Sequence, residues 1–389
     1  MAARSASLII VVVVLATGAA SAQLKFPDGT TQSTAFGGSN SIVTGTNATV
    51  SGGADNAATG PFSTVAGGSS NDATGEASAV GGGFANQATQ IDSAVAGGSE
   101  NVASGAGAFI GGGSQNIASG NYSVTTGGLT NESAEIYASI GGGNLNFSAG
   151  DGSTISGGYF NDASNIDAAV GGGSENIASG VASIIPGGSQ NTAAGDLSFA
   201  SGFGATVDAA HDGAMLMADG RQFFFFSARA NEFAVRATGG VRLVTGINTG
   251  NNGVPSAGVA LNPGSGTWLS LSDRNAKENI EPVDGREVLE KVAALPLNEW
   301  NYKSQDETER HLGPMAQDFH ASFGLGPDDV HIADLDLGGV ALAAIQGLYT
   351  QVKEENAQLK SALDAKSAEI AGLQAQLDQI VARLNAEKR

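Results

Sequence analysis

The stretch "SAVGGGFANQATQ", residues 78–90, is one copy of a unit that repeats through the first half of the chain. A Gly pair recurs at every fifteenth position, Val or Ile stands two residues before each pair with Thr125 as the exception, and Ala or Ser follows the repeated Asn two residues later. The Asn itself recurs without slippage at Asn56, Asn71, Asn86, Asn101, Asn116, Asn131, Asn146, Asn161, Asn176 and Asn191. A fixed period of this length indicates stacked repeats.

The repeat predicts an all-β solenoid over residues 48–204. One β-branched and one small apolar residue per unit cannot bury a core alone, so the units must stack. Gly at fixed steps supplies positive-φ turns, and the Asn amides can form a ladder between layers. We therefore expect a parallel β-roll or β-helix. Gly triplets in alternate units leave two coil lengths open, one unit per coil, which we favour, or two.

The composition narrows the classes of partner and chemistry. The chain has 389 residues, 58 Gly, no Cys and a formal net charge of -20. Such acidity argues against nucleic acid and anionic membranes as partners, and absence of Cys excludes disulfides and thiolate chemistry. No acidic position keeps the step of the repeat, and the four His are scattered. We predict no cofactor and no metal.

The N-terminus has the pattern of a secretory signal peptide over residues 1–22. Arg4 provides the positive charge, residues 8–16 the apolar run, and Ala20-Ser21-Ala22 the cleavage site. We expect the mature chain to start at Gln23, with an N-terminal cap over 23–47. The protein would then be secreted or at a bacterial cell surface, with no stable membrane insertion after signal cleavage; an uncleaved anchor is the alternative.

The repeat resembles the head repeats of trimeric autotransporter adhesins in its general pattern, although its unit lacks their usual "SVAIG" motif. That resemblance implies an adhesin-like homotrimer, but it identifies no ligand. A surface polysaccharide or a protein both remain open as partners of the repeat region. The alternative is that the repeat region is a structural spacer that exposes its lateral faces.

Residues 205–270 have a different composition, which predicts a β-rich neck. Phe233 and Val235, then Val241 and Leu243, flank "TGG" and predict a β-hairpin. "FFFF" at 223–226 is expected to be buried between chains, because such a run would aggregate if exposed. Residues 248–258 are predicted to be a loop, and His211-Asp212 to form a turn.

The stretch "SLSDRNAKENI", residues 270–280, places Ser272 five residues before Lys277. A lysine serves as general base only when neutral, which requires burial or a nearby cation to lower its pKa. Spacing alone favours a routine helix N-cap, with Asp273 as the capping residue.

The sequence that follows resembles the endosialidase-type intramolecular chaperone, a self-cleaving peptidase domain. "VLEKVAALPLNEWNYK" (288–303), "HLGPMAQDF" (311–319) and "GVALAAIQGLYTQV" (339–352) carry the resemblance, which predicts this domain over 271–344. It implies that trimerisation precedes a cut at the Leu271–Ser272 bond, with Ser272 as nucleophile and Lys277 as general base. Asp273, His311 and Gln317 are possible lining residues; packing is the alternative for His311 and Gln317.

A heptad pattern predicts a coiled coil over residues 345–389. Asn356 and Lys366 are polar positions that would specify register. The pattern does not distinguish dimer from trimer, and a single helix packed on the domain is the alternative. The seam consists of Ile345, Tyr349, Val352, Asn356, Leu359, Leu363, Lys366, Ile370, Leu373, Leu377, Ile380 and Leu384.

Together these features predict an exported homotrimeric fibre with a solenoid head or stalk and a C-terminal chaperone that cuts itself off. Any enzymatic activity would be a single-turnover serine auto-endopeptidase. One rival is a surface protein whose C-terminal domain trimerises without cleavage. Another is a phage tail-fibre-like protein, which the signal peptide disfavours.

Overall fold

A computed structural model describes residues 24–25, 31–32, 38–250 and 252–387. The signal-peptide prediction lies outside these residues, as does much of the proposed cap. The described chain forms two compact units, one ending at Gly239 and one starting at Gly240. In the first unit a short antiparallel pair, β1 (Leu24–Lys25) and β2 (Thr31–Gln32), precedes a long parallel solenoid.

Two parallel sheets run along the solenoid, each receiving one short strand per coil. We call the sheet that runs from β4 (Thr49–Val50) to β29 (Phe233–Arg236) the first sheet, and the sheet that runs from β3 (Ile42–Val43) to β28 (Phe225–Phe226) the second sheet. The second sheet comprises β3 (Ile42–Val43), β5 (Ala57–Ala58), β7 (Asp72–Ala73), β9 (Gln87–Ala88), β11 (Val102–Ala103), β13 (Ile117–Ala118), β15 (Glu132–Ser133), β17 (Phe147–Ser148), β19 (Asp162–Ala163), β21 (Ile177–Ala178), β24 (Thr192–Ala193), β26 (Ala205–Val207) and β28 (Phe225–Phe226). The first sheet comprises β4 (Thr49–Val50), β6 (Thr64–Val65), β8 (Ala79–Val80), β10 (Ala94–Val95), β12 (Phe109–Ile110), β14 (Val124–Thr125), β16 (Ser139–Ile140), β18 (Thr154–Ile155), β20 (Ala169–Val170), β22 (Ile184–Ile185), β25 (Phe199–Phe203), β27 (Met215–Ala218) and β29 (Phe233–Arg236), with β23 (Gly188–Ser189) beside β25.

The predicted parallel β-solenoid is confirmed, with one sequence unit per coil. Val80 pairs with Val95, and Ala88 with Ala103, each one unit apart. A coil of two units would have paired alternate units instead. The second Gly of each pair is structurally required: Gly83 has a φ of 95°, and a Cβ there would lie 2.1 Å from the carbonyl oxygen of Gly98.

The core consists of the inward residue of each short strand together with the Asn ladder. Val80, Ala88 and Asn86 are all buried. The Nδ2 of Asn86 donates to the carbonyl oxygens of Gly82 and Gly98 and to Asn71 Oδ1. Asn86 Oδ1 in turn accepts from the Asn101 backbone and side chain. Each buried amide is therefore fully used, which is what burial of a polar group requires.

The predicted hairpin at 233–243 is wrong. Phe233–Arg236 instead pairs in parallel with Met215–Ala218, so the solenoid continues beyond the regular repeats. These last coils are longer than the repeated unit, because Phe199 pairs with Met215 and Met215 pairs with Phe233. The free parallel edge of each completed coil offers hydrogen bonds along a whole strand, and this competes successfully with a local turn.

The last coil is closed by the side chain of Arg236. Its Nε lies 2.9 Å from Asp219 Oδ1, and its other nitrogens donate to the backbone carbonyls of Phe203, Asp219, Arg221 and Phe223. Hydrogen bonds from Thr238 and Arg236 hold the pKa of Asp219 well below its usual range. This network satisfies carbonyls that no further coil covers.

The second unit begins with an antiparallel sheet. Its strands are β30 (Val241–Asn248), β31 (Val254–Leu261) and β32 (Trp268–Ser270), in that order. The loop predicted over 248–258 is therefore too long, because residues from Val254 onward pair with β30. A short 3-10 helix (Arg274–Ala276), α1 (Gly285–Ala294), the pair β33 (Asn298–Trp300) and β34 (His311–Gly313), and α2 (Ala316–Phe323) follow.

The chain ends in α3 (Asp334–Glu387), a helix of 54 residues. It crosses α1 where two glycines meet, since a Cβ on Gly347 would lie 2.0 Å from the carbonyl oxygen of Gly285. Arg286 of α1 also forms an ion pair with Glu354. Within the residues that the structure describes, none of the helices is both long and apolar enough to cross a membrane.

Candidate functional site

Ser272 and Lys277 lie on either side of the short 3-10 helix that follows β32. The backbone N–H of Leu271 donates to the carbonyl oxygen of Gly258, 3.1 Å away, which fixes the chain just before Ser272. Asp273 caps the helix by accepting from the backbone N–H of Asn275 at 3.0 Å. One tight turn thus returns the chain toward Ser272, and Lys277 leaves it in an extended conformation.

The two polar side chains meet directly. Lys277 Nζ donates a hydrogen bond to Ser272 Oγ at 2.7 Å. This is within the distance at which a base can take a proton from a nucleophile. Both residues are exposed in the single chain. The pair therefore has the geometry of a nucleophile and a base, on a surface that is open to solvent in the single chain.

Leu271 and Asp273, the two neighbours of Ser272, line an open apolar cavity of about 420 Å³, whereas Ser272 and Lys277 themselves are not part of its wall. The rest of the wall comes from the three-stranded sheet, with Leu243, Val254 and Leu269 among the apolar side chains. Within one chain this apolar surface next to Leu271 is open to solvent.

The three predicted lining residues lie in different surroundings. Asp273 is the helix cap described above, the role expected of it from spacing alone. His311 packs against Trp300, with ring centroids 4.7 Å apart, and its Nε2 lies 3.1 Å from Gln305 Oε1. Gln317 is exposed in the first turn of α2. Neither His311 nor Gln317 forms a hydrogen bond with the Ser272–Lys277 pair.

Sequence reasoning missed the aromatic cluster around His311. Trp300 and Tyr302 pack edge to face at 5.0 Å, and both contact the imidazole. The Trp300 indole nitrogen is buried with no hydrogen-bond partner among the described residues. The sequence "EWNY" at 299–302 could have indicated this aromatic cluster. Across the part of the chain that the structure describes, no cluster of three His, Asp or Glu side chains is placed to bind a metal.

Comparison with known proteins identifies the C-terminal region. Residues 272–330 match the family described as chaperone of endosialidase. Proteins of this family are intramolecular chaperones with autoproteolytic activity, associated with trimeric assemblies. The resemblance predicted from sequence is thereby confirmed, and the matched segment begins at Ser272 itself. No curated protein matches the chain.

Proposed function

We propose that this protein is an exported homotrimeric fibre whose C-terminal unit assembles three chains and then cuts itself off at Leu271–Ser272. The observation that carries the proposal is the 2.7 Å contact between Ser272 Oγ and Lys277 Nζ. It supports a Ser–Lys dyad because it joins a nucleophile and a potential base at the first residue of a domain whose relatives are autoproteolytic.

Cleavage at this bond has a simple chemical course. The neutral Lys277 amine takes the hydroxyl proton, and Ser272 Oγ attacks the carbonyl carbon of Leu271. The C–N bond breaks as the Ser272 nitrogen receives the proton from Lys277, which leaves an ester between Leu271 and the Ser272 hydroxyl. Water then hydrolyses the ester to a Leu271 carboxylate and a free Ser272 amine and hydroxyl.

The charge of Lys277 would make this chemistry depend on assembly. In one chain Lys277 is exposed to water. Burial disfavours the charged form of a lysine, so contact with neighbouring chains would favour the neutral amine that the cleavage requires. The exposed apolar surface next to Leu271 and the apolar seam of α3 are the surfaces that chain association would use. Release of the chaperone after assembly would make the trimer kinetically difficult to undo.

The cleavage test compares wild type with Ser272→Ala and Lys277→Met, and uses Ser270→Ala as the matched control. A denaturing gel should show a fragment from Ser272 to Arg389 only in wild type and Ser270→Ala, and N-terminal sequencing should begin at Ser272. A wild-type trimer that stays intact would contradict cleavage and leave the rival function, an uncleaved trimerisation domain. Equal cleavage in Lys277→Met would contradict the dyad.

Export is a separate part of the proposal. A chain that starts at Gln23 in the exported fraction of a bacterial host is the expected result. Retention of residues 1–22 in the cytoplasm would favour the phage tail-fibre-like alternative instead. The ligand of the solenoid, polysaccharide or protein, is left open by both outcomes.

A further inference from the structure

The two outer faces of the solenoid differ in charge. Each coil contributes two outward-facing residues to the first sheet, one on either side of a buried residue. The row before the buried residue runs from Thr49 to Phe233, and the row after it runs from Ser51 to Val235. None of these outward positions carries a charged residue. We call this surface the uncharged face.

Every Asp and Glu between 48 and 204 lies elsewhere on the coil. Some point outward from the second sheet, such as Asp72, Glu132 and Asp162. Others lie in turns: Asp92 stands between the two sheets, two residues before Ala94 of the first, and Glu100 stands two residues before Val102 of the second. Solubility alone would favour acidic residues on every exposed face, so their exclusion from one face along the whole solenoid indicates a constraint on that face.

The uncharged face also becomes strongly apolar at its C-terminal end. Ile184, Met215 and Phe233 are exposed there, as are Met217 and Val235 in the neighbouring row. Thirteen layers spaced about 4.8 Å apart make a strip about 60 Å long.

We infer that the uncharged face of the solenoid packs against second copies of this chain, toward the axis of the homotrimer. This rests on the proposed trimer and adds the surface by which its solenoids associate. Identical copies share the same repeat period, so they match layer by layer when aligned. The chain has no Lys or Arg between 26 and 220. Two acidic solenoids therefore cannot pair through opposite charges, and an uncharged face avoids the repulsion that outward carboxylates such as Asp72, Glu132 and Asp162 would cause.

The absence of Cys permits a clean test with single substitutions in the full-length chain. Ile184→Cys places a thiol on the uncharged face, and Ile177→Cys places one on the second sheet at a similar exposure, 47% against 43%. Disulfides form only where Cα atoms approach within about 7 Å, and we expect at least about tenfold more covalent dimer on mild oxidation of Ile184→Cys. Native mass is measured on the same samples before oxidation.

Each outcome has a distinct meaning. Cross-linking at Ile184→Cys within a trimer, unchanged on dilution, supports the inference. A trimer that cross-links only at Ile177→Cys, at both positions equally, or at neither, overturns the inference while the proposed trimer stands. A monomer overturns both. Ile184→Glu should lower the melting temperature of the assembled solenoid, whereas Ile177→Glu should leave it nearly unchanged.

Discussion

The solenoid and the C-terminal unit differ in how much of their apolar surface one chain can bury. In the solenoid every layer covers the next, and nearly all buried residues of the protein lie there. In the C-terminal unit Phe319 and Ala344 are the buried apolar residues, while the α3 seam is exposed throughout the part that the structure describes. The solenoid completes its core along its own axis, whereas the C-terminal unit has apolar faces that its own described residues leave exposed.

Because of this difference, we expect association of the chains to be driven by the C-terminal unit. Burying one exposed Leu or Ile stabilises by about 1.5–3 kcal/mol. Several such residues per chain, among them Leu363, Ile370 and Leu373, together offset an association cost of about 4–15 kcal/mol. The three-stranded sheet has exposed side chains on both faces, including Leu243, Val244 and Trp268. A single uncovered sheet layer of this kind needs a second layer to be stable.

The largest expected effect comes from breaking the seam. Leu363→Glu combined with Ile370→Glu should convert the trimer to monomer, because it would bury two carboxylates per chain. If assembly precedes the cut, cleavage should fall at least about a hundredfold with the loss of the trimer. Sedimentation and the gel assay measure the two effects. Ser361→Glu with Ala368→Glu, on the same helix outside the seam, should change neither, and cleavage by a monomeric seam variant would contradict the dependence on assembly.

The solenoid should instead respond to loss of a single ladder residue. Asn116 Nδ2 donates to the carbonyls of Gly112 and Gly128 and to Asn101 Oδ1, and its Oδ1 accepts from Asn131. Asn116→Ala orphans several buried polar groups at about 1–3 kcal/mol each, so we expect a loss of about 3–5 kcal/mol. Thermal unfolding of the solenoid, residues 23–239, would measure it.

The adjacent Gln115 provides the matched control for the ladder. Among the described residues its side chain is hydrogen-bonded only to Glu100, on the exposed surface. Gln115→Ala should therefore cost under about 0.5 kcal/mol. If Asn116→Ala were equally mild, the ladder would not be a principal source of cohesion between layers, and the contrast between the two units would lose its basis.

A smaller effect is expected where α1 crosses α3. Gly347→Ala would force a Cβ to within 2.0 Å of the Gly285 carbonyl oxygen, so the helices must separate. We expect a loss of about 1–3 kcal/mol in the C-terminal unit, measured by thermal unfolding of Ser272→Ala protein. Gly338→Ala in the same helix meets nothing within 4 Å and should stabilise by up to about 1 kcal/mol. Equal behaviour of the two variants would argue against close crossing.

How far the sequence predicted the structure depended on whether a feature was local and repeated. The solenoid could be predicted because Asn86 and its equivalents recur at a fixed step along the sequence. The strand at Phe233 did not, because its partner at Met215 lies outside the regular step. Ser272 and Lys277 could be named from spacing and resemblance, and their contact depends on a turn closed by Asp273. The surroundings of His311 depend on packing by Trp300, which spacing does not encode.

The measurement that tests the central claim most directly is the mass of full-length Ser272→Ala protein in solution. This variant cannot lose its C-terminal unit by the proposed cut, so it reports assembly alone. Sedimentation equilibrium should give three times the chain mass across a tenfold dilution. A mass of one chain would show that the exposed seam and sheet have no partner copy, and it would contradict the account of a C-terminal unit completed by trimerisation.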